Sequence, residues 1–450
     1  SLATLLILPQ TLLLGATFPL MSVGILRNFP AMPGSSIAIL YFSNSLGAVI
    51  GVLASGFWLI GAVGLPGTIM SAALINFLLA FSVYAIATQI QAHTVPVAPK
   101  AIATDTLLRP LLLVALVTGL SSFVYEIGWI RMLSLVLGAS THAFELMLSA
   151  FILGLASGGL WVRKHIDRYP NPLKALGIIQ LLMGLLALGT ILSYNQMFDI
   201  MQGMLLTLQR NESGYFWFNL GSHFIAALVM LPVTFMAGMT LPLITYILFS
   251  RGSGESAIGK VYAANTLGAI IGVWLAVQWL LPLTGLKNAI MAGAALDLVL
   301  GIYLLARSQA TMPIQRTAIL VSLLALVAVS LGTSFDSKRM ASGVFRTGDI
   351  LSLNVVSHKD GHTATIDVYD MGQDTRVIST NGKPDASVRM HGSYSPSEDE
   401  PTMVLLGGLP LLLNPQTQTA AVIGMGSGIS ANVMLASPTL QSLDIIEIEA

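Results

Sequence analysis

Residues 41–52 read YFSNSLGAVIGV and residues 262–273 read YAANTLGAIIGV. Tyr262 follows Tyr41 by 221 residues, and nearly the same spacing recurs around the pair. GATFPL begins at Gly15 and GMTLPL at Gly238, Trp58 corresponds to Trp279, and Gly64-Leu65 to Gly285-Leu286. Self-similarity at a fixed period marks two copies of one structural unit stacked in the chain. Each copy also carries a Gly-x-x-x-Gly pair, Gly47 with Gly51 and Gly268 with Gly272, which permits close helix approach.

The setting of the repeat is a lipid bilayer. Apolar residues make up 54% of the chain and charged residues 9%, with a mean hydropathy of +0.79, against roughly 25% charged in soluble domains. Mainly apolar runs long enough to cross a membrane as helices lie at about 1–24, 36–62, 66–88, 110–137, 141–162, 173–194, 216–249, 256–283, 286–306 and 317–333. These are ten expected spans. The fold expected is an α-helical polytopic membrane domain of 1–90 (second half of a first helical repeat), a polar linker 91–109, a second six-helix repeat 110–310 and an extra transmembrane helix 311–335. The other half of the first repeat is expected upstream of Ser1. Both copies keep the same parity, so they read as parallel repeats, the arrangement of major-facilitator-like halves.

Net charge is zero, so no global field points to nucleic acid, and basic residues matter by position. Arg27, Lys100, Arg109, Arg163, Lys164, Arg168, Lys174, Arg251, Lys260, Arg307 and Arg316 fall on one side of the alternating topology, and Arg210 and Lys287 in loops of the other. The rich side is the cytoplasm by the positive-inside rule, which marks a multi-pass inner-membrane protein and carries the tail outward. Residues 163–174, RKHIDRYPNPLK, resemble the basic loop of major-facilitator halves and read as a topology anchor or a gating element. Cysteine is absent, which excludes disulfides, thiolate metal sites and a cysteine nucleophile. No metal is expected.

From about residue 334 the composition changes. HTATIDVYD (362–370) and TRVIST (375–380) alternate with the strand period and Asn381-Gly382 signals a hairpin turn, giving a β-rich subdomain over 336–419. At 420–428 the chain reads AAVIGMGSG and at 443–450 LDIIEIEA. A strand, a glycine turn (Gly424, Gly426, Gly428), a helix-compatible stretch and a second strand tipped by Glu447 form the start of a Rossmann-like α/β domain over 420–450. The glycines let the backbone approach a ligand and the acid is placed to accept from ribose hydroxyls. This spacing suits an adenosyl ligand better than a dinucleotide.

The order GHTATIDVYD, RVISTNGKPDAS, SEDEPTMVLLGGLPLLLNP, AAVIGMGSG and DIIEIEA, together with SSFVYEIGWIRMLSLVLGAS (121–140) and FILGLASGGL, resembles the spermidine synthase family. The closest form is its membrane members with a synthase-like domain behind major-facilitator-like helices. The resemblance implies an aminopropyltransferase-type activity. Gly424, Gly426, Gly428 and Glu447 would hold the nucleoside of S-adenosylmethionine or its decarboxylated form, and Asp385, Asp399 and Glu400 would face a polyamine or other small amine. The chain departs from the family pattern in several places. GMGSG replaces Gly-Gly-Gly-Asp-Gly-Gly, Asp385 stands in the place of a Gln, Met403 and Leu405 occupy the Tyr and Glu positions, and the family's catalytic aspartate would fall beyond Ala450. A transporter, or a scaffold subunit with partners in a membrane complex and a degenerate synthase-like domain, stands as the alternative. The GMGSG spelling alone suggests a methyltransferase.

Inside the membrane, Glu126, Arg131 and Glu145 are the chief polar candidates, with His142, His223 and Asp297 beside them. Ionisable groups in lipid are costly and functional by default. The competing reading is that Glu126, Arg131 and Glu145 pair across the 110–137 and 141–162 hairpin and lock it. His223 reads as a satisfied bundle histidine.

Overall fold

A computed structural model describes residues 2–28, 32–89, 106–372, 374–390 and 395–449. Most of the 91–109 linker, Lys100 and Ala450 lie outside these residues. The chain runs through α1 (Leu2–Asn28), α2 (Pro33–Ala54), α3 (Ile60–Gln89), α4 (Leu108–Leu137), α5 (Thr141–Arg163), α6 (Pro172–Thr207), α7 (Glu212–Ser250), α8 (Ser256–Leu275), α9 (Leu281–Arg307) and α10 (Met312–Gly332). The tail contains α11 (Ser337–Ala341), α12 (Val344–Thr347), β1 (Asn354–Asp360), β2 (Thr365–Asp370), β3 (Thr375–Thr380), β4 (Lys383–Arg389), α13 (Glu400–Leu413), β5 (Thr419–Ile423), α14 (Ile429–Leu435) and β6 (Ser442–Ile446).

Among the described residues, eight helical stretches are long and apolar enough to cross a membrane. Helix is the form such runs take in lipid because it satisfies every backbone polar group internally. Ser140, Asn171 and Asn211 set the starts of α5, α6 and α7 by accepting the N–H of Ala143, Lys174 and Gly214, as N-caps do.

Two of the eight stretches, Pro33–Thr88 and Ser256–Arg307, are long for a single crossing at 56 and 52 residues. Each holds a π-helical turn, Ser55–Leu59 or Ala276–Leu280, and then a broken glycine. Gly64 sits at φ 68°, ψ 176° and Gly285 at φ 78°, ψ 170°, a region open essentially to glycine alone. Packing on α4 shows that the chain turns back at Gly285. Gly268 and Gly272 of α8 rest on Leu116 and Leu120 in parallel order, whereas Ile290, Gly293 and Asp297 of α9 meet Gly128, Tyr125 and Ser121 in reverse order. The 221-residue repeat is therefore written in the backbone as well as in the letters: π turn, then glycine break, in both copies.

The two copies meet on one ring. Phe18 of α1 stacks on Tyr262 at 4.4 Å and stands edge-on to Tyr41 at 6.3 Å, and these are the matching tyrosines of the repeat. Arg27 pairs with Glu255 at 2.6 Å at the same end of the bundle. The copies differ at the paired glycines. Gly268 and Gly272 lie against the backbone of α4, while the space beside Gly47 and Gly51 is open.

The tail begins with an antiparallel meander in the order β1-β2-β3-β4. Asn381 (φ 50°) and Gly382 (φ 73°) form the β3–β4 turn, as the Asn-Gly pair predicts. Strand β2 starts at Thr365, three residues later than the alternation from His362 suggests, because residues 361–364 form a turn clasped by Glu449. Strands β5 and β6 pair in parallel with α14 between them. This is one βαβ unit, and two strands do not amount to a Rossmann-like sheet. Its apolar faces are open, with Ile423 87% exposed.

The tail sits, through α11, α12 and β1, on the end of the bundle where α4 finishes and α5 begins. Phe345 covers Gly138, Gly348 lies on Leu205, and Asp360 meets the Gly285 break. This is the end whose loops carry Arg210 and Lys287.

Candidate functional site

All three glycines after β5 take positive φ: Gly424 at 85°, Gly426 at 53° and Gly428 at 81°. That conformation is glycine's to adopt freely, and it folds the loop back so that the Gly424 N–H donates to Ile446 O at 2.8 Å. Beside Gly424 and Gly426 the space a side chain would fill is empty, so a flat ligand can approach the backbone there. Glu447 follows β6 directly and one of its oxygens accepts the Met425 N–H at 2.8 Å. The other accepts from Ile448 and Glu449. Hydrogen bonds from the Met425 N–H, then those of Glu449 and Ile448, hold this carboxyl below the usual glutamate range. Glu447 is thus brought to the loop as the spacing predicts, but it is engaged with loop backbone, and ribose hydroxyls would have to share it.

Of the amine-side residues, Asp399 and Glu400 stand at the start of α13, which touches the same loop further on, through Met403. Met403 accepts from Ser430 Oγ through its carbonyl at 2.8 Å and from Ser427 Oγ through its sulfur at 2.9 Å. Asp399 and Glu400 lie about one turn, ~6 Å of helix, before it. They also fasten α13 to β4: Ser387 Oγ donates to Asp399 at 2.7 Å and the Arg389 N–H to Glu400 at 2.6 Å. Asp385 is exposed and falls at the irregularity in the β3–β4 register, between Pro384 and Ala386, whose partners are Ser379 and Ile378. A bulge of this kind re-aims a side chain.

Within the membrane domain, Glu126, Arg131 and Glu145 do not pair with one another, and the expected hairpin lock is absent. Glu145 lies against Gly56 and accepts from His142 at 3.0 Å, with Phe57 stacked on that imidazole. Among the described residues Glu126 has no hydrogen-bond or ion-pair partner. Arg131 reaches the tail instead, donating to the carbonyls of Gly361 and His362, both at 3.2 Å. His223 sits 3.4 Å from Ser149 Oγ. Asp297 is fully buried and accepts from Ser121 Oγ at 2.7 Å and Tyr125 OH at 2.6 Å, with Gln180 Nε2 at 3.5 Å.

Several residues at the domain junction were not legible as site residues. Asp360 accepts the Leu286 N–H at 3.0 Å, capping the helix that restarts after Gly285, and takes a second bond from Thr365 Oγ1. His362 Nδ1 lies 3.1 Å from Val277 O, inside the π turn. Glu449 gathers the N–H groups of His362, Thr363 and Ala364 and the Thr363 hydroxyl. Burial pushes its carboxyl up, but these four donors outweigh it and hold it below the usual range. Behind them His358 Nδ1 meets the buried Asp367 at 2.6 Å. The one signal in the sequence is the Asp360-Gly361 turn with the Glu-x-Glu of 447–449.

Comparison with protein-family models, curated proteins and solved structures finds no match. No group of three or more His, Asp or Glu side chains among the described residues is placed to hold a metal ion.

Proposed function

We propose that this is a membrane-integral, spermidine synthase-like protein whose tail binds an S-adenosyl nucleoside at the 424–428 loop, in an aminopropyltransferase-type role. The observation that carries the reading is the closure of Glu447 on the Met425 N–H beside two glycines with open space. Such a loop suits a purine nucleoside, with backbone N–H groups and one acid as its polar contacts. In the reaction the amine nitrogen would attack the carbon next to the sulfonium. The C–N bond forms, the C–S bond breaks with its electron pair passing to sulfur, and the amine proton goes to a base. This chain's contribution would be positioning, with Asp399 and Glu400 supplying negative charge one turn from the loop. The resemblance extends the proposal to major-facilitator-like repeats, a Rossmann-like tail and the inner membrane.

A second reading is favoured by a different observation. The tail rests on the end of the bundle poor in basic loops, which the positive-inside rule assigns outside the cytoplasm, and Asp399 and Glu400 are spent on tethering α13. A transporter or scaffold whose tail serves assembly accounts for both. Reporters fused after Ala450 distinguish the readings together with a transfer assay using decarboxylated S-adenosylmethionine and di- and triamines. A cytoplasmic reporter with product formation supports the transferase; an extracytoplasmic reporter with no transfer supports the alternative.

A further inference from the structure

Where the membrane domain meets the tail there is a cavity of about 490 Å³ that neither functional reading uses. It opens between the loop joining α6 to α7 and the short helix α12. Arg210 comes from the loop and Arg346 from the tail, 136 positions later, and both residues line it. Leu205, Tyr215 and Phe218 supply its apolar wall. One acid, Glu212, shares the lining, and it occupies the first turn of α7, where the helix dipole favours a negative charge. Among the described residues neither arginine forms an ion pair.

The cavity's level in the membrane narrows its ligand. The expected span of α7 begins near residue 216, and Tyr215 and Phe218 of that same stretch line the cavity, so it opens beside the start of the α7 span. Tyr215, Phe216 and Trp217 are all more than half exposed there, the placement of an interfacial aromatic belt. A volume in the range of ~300–1,000 Å³ holds a small-molecule-sized group. Guanidinium groups suit phosphate oxygens as bidentate donors, and the apolar wall of Leu205, Tyr215 and Phe218 suits acyl chains. A soluble anion would use the arginines and leave that wall without a partner.

We propose that this cavity binds the headgroup phosphate of one anionic phospholipid, bridging Arg210 of the membrane domain and Arg346 of the tail and so fixing the tail on the bundle. The bound lipid extends the contact that Gly348 makes with Leu205 and that Phe345 makes with Gly138.

The test uses the full chain in nanodiscs of phosphatidylcholine with or without phosphatidylglycerol, followed by native mass spectrometry of lipids retained on gentle delipidation. Wild type is expected to keep one phosphatidylglycerol more than Arg210→Ala/Arg346→Ala, with apparent affinity about tenfold weaker in the double variant. Both positions are exposed, and Arg210→Lys/Arg346→Lys, which keeps the charge, should retain much of the binding and controls for folding. Equal retention by wild type and the alanine variant would overturn the proposal, as would equal retention of phosphatidylcholine. Full competition by millimolar inorganic phosphate or glycerol phosphate would also overturn it, by showing a site for soluble anions.

Discussion

Arg131 of α4 donates to the carbonyl of His362, 231 residues away, while the N–H of the same His362 is held by Glu449. A guanidinium from the membrane bundle and a carboxylate from the last residues of the chain thus grip opposite sides of one turn. Two residues before Glu449, Glu447 closes the glycine loop, so the candidate ligand site and the membrane domain are joined through a few consecutive bonds.

Removing the guanidinium should loosen that grip. Arg131→Ala is expected to cost about 2–3 kcal/mol, since it strips charge-assisted hydrogen bonds from one buried and one part-buried carbonyl. Arg131→Lys should recover only part, because an ammonium cannot span both acceptors as a planar fork does. Hydrogen exchange across residues 354–370 in the full chain reads this directly: faster exchange in Arg131→Ala is expected, and unchanged protection would show that the turn is held without the arginine.

Backbone conformation makes a sharper prediction at the helix breaks. Alanine at Gly285 or Gly64 must adopt a region that L-residues avoid, at about 1–3 kcal/mol each. Gly61→Ala, in a regular part of α3 with open space beside it, should be neutral or slightly stabilising. Denaturant titrations of the three variants in detergent should rank them in that order. A Gly285→Ala variant as stable as wild type would mean that the break is not required for the chain to turn back.

The junction should also respond to pH. Burial pushes the His358 imidazole down, but its hydrogen bond to Asp367 and the charges of Asp367 and Asp360 outweigh this and raise it above its ordinary value. Asp367 is itself raised, chiefly by burial. Both groups hold protons more tightly folded than unfolded, so their stabilisation is complete below their unfolded pKa values and is lost as pH rises through the folded ones. Glu447 and Glu449 are shifted down, and their contribution is lost as pH falls below the ordinary glutamate range. Thermal stability should therefore peak in mild acid and decline above about pH 6.5. His358→Gln should flatten the alkaline side, and a profile identical to wild type would remove His358 from the account.

The two-copy membrane architecture was legible because its determinants are local. Apolar run length, the Gly-Leu pairs at 64 and 285 and the Asn381-Gly382 turn each specify a conformation from neighbouring residues. Gly424, Gly426 and Gly428 could be read for the same reason, and Glu447 arrives because a strand–helix–strand unit of fixed length delivers it. What could not be read depends on contacts between distant segments. Arg131 was expected to find Glu126 or Glu145, its sequence neighbours, but burial against the tail gives it carbonyl partners that no spacing announces. Nothing beside Asp360 in the sequence announces that its carboxylate caps a helix in the other domain.

Binding of an S-adenosyl nucleoside at the 424–428 loop, proposed above, can be measured by equilibrium titration of the full chain in detergent with S-adenosylmethionine and its decarboxylated form. Saturable binding of at least one of them is expected, weakened about tenfold by Glu447→Gln through loss of a charged acceptor at the loop. No saturable binding of either compound by the wild-type protein would contradict it, and so would binding that Glu447→Gln leaves unchanged.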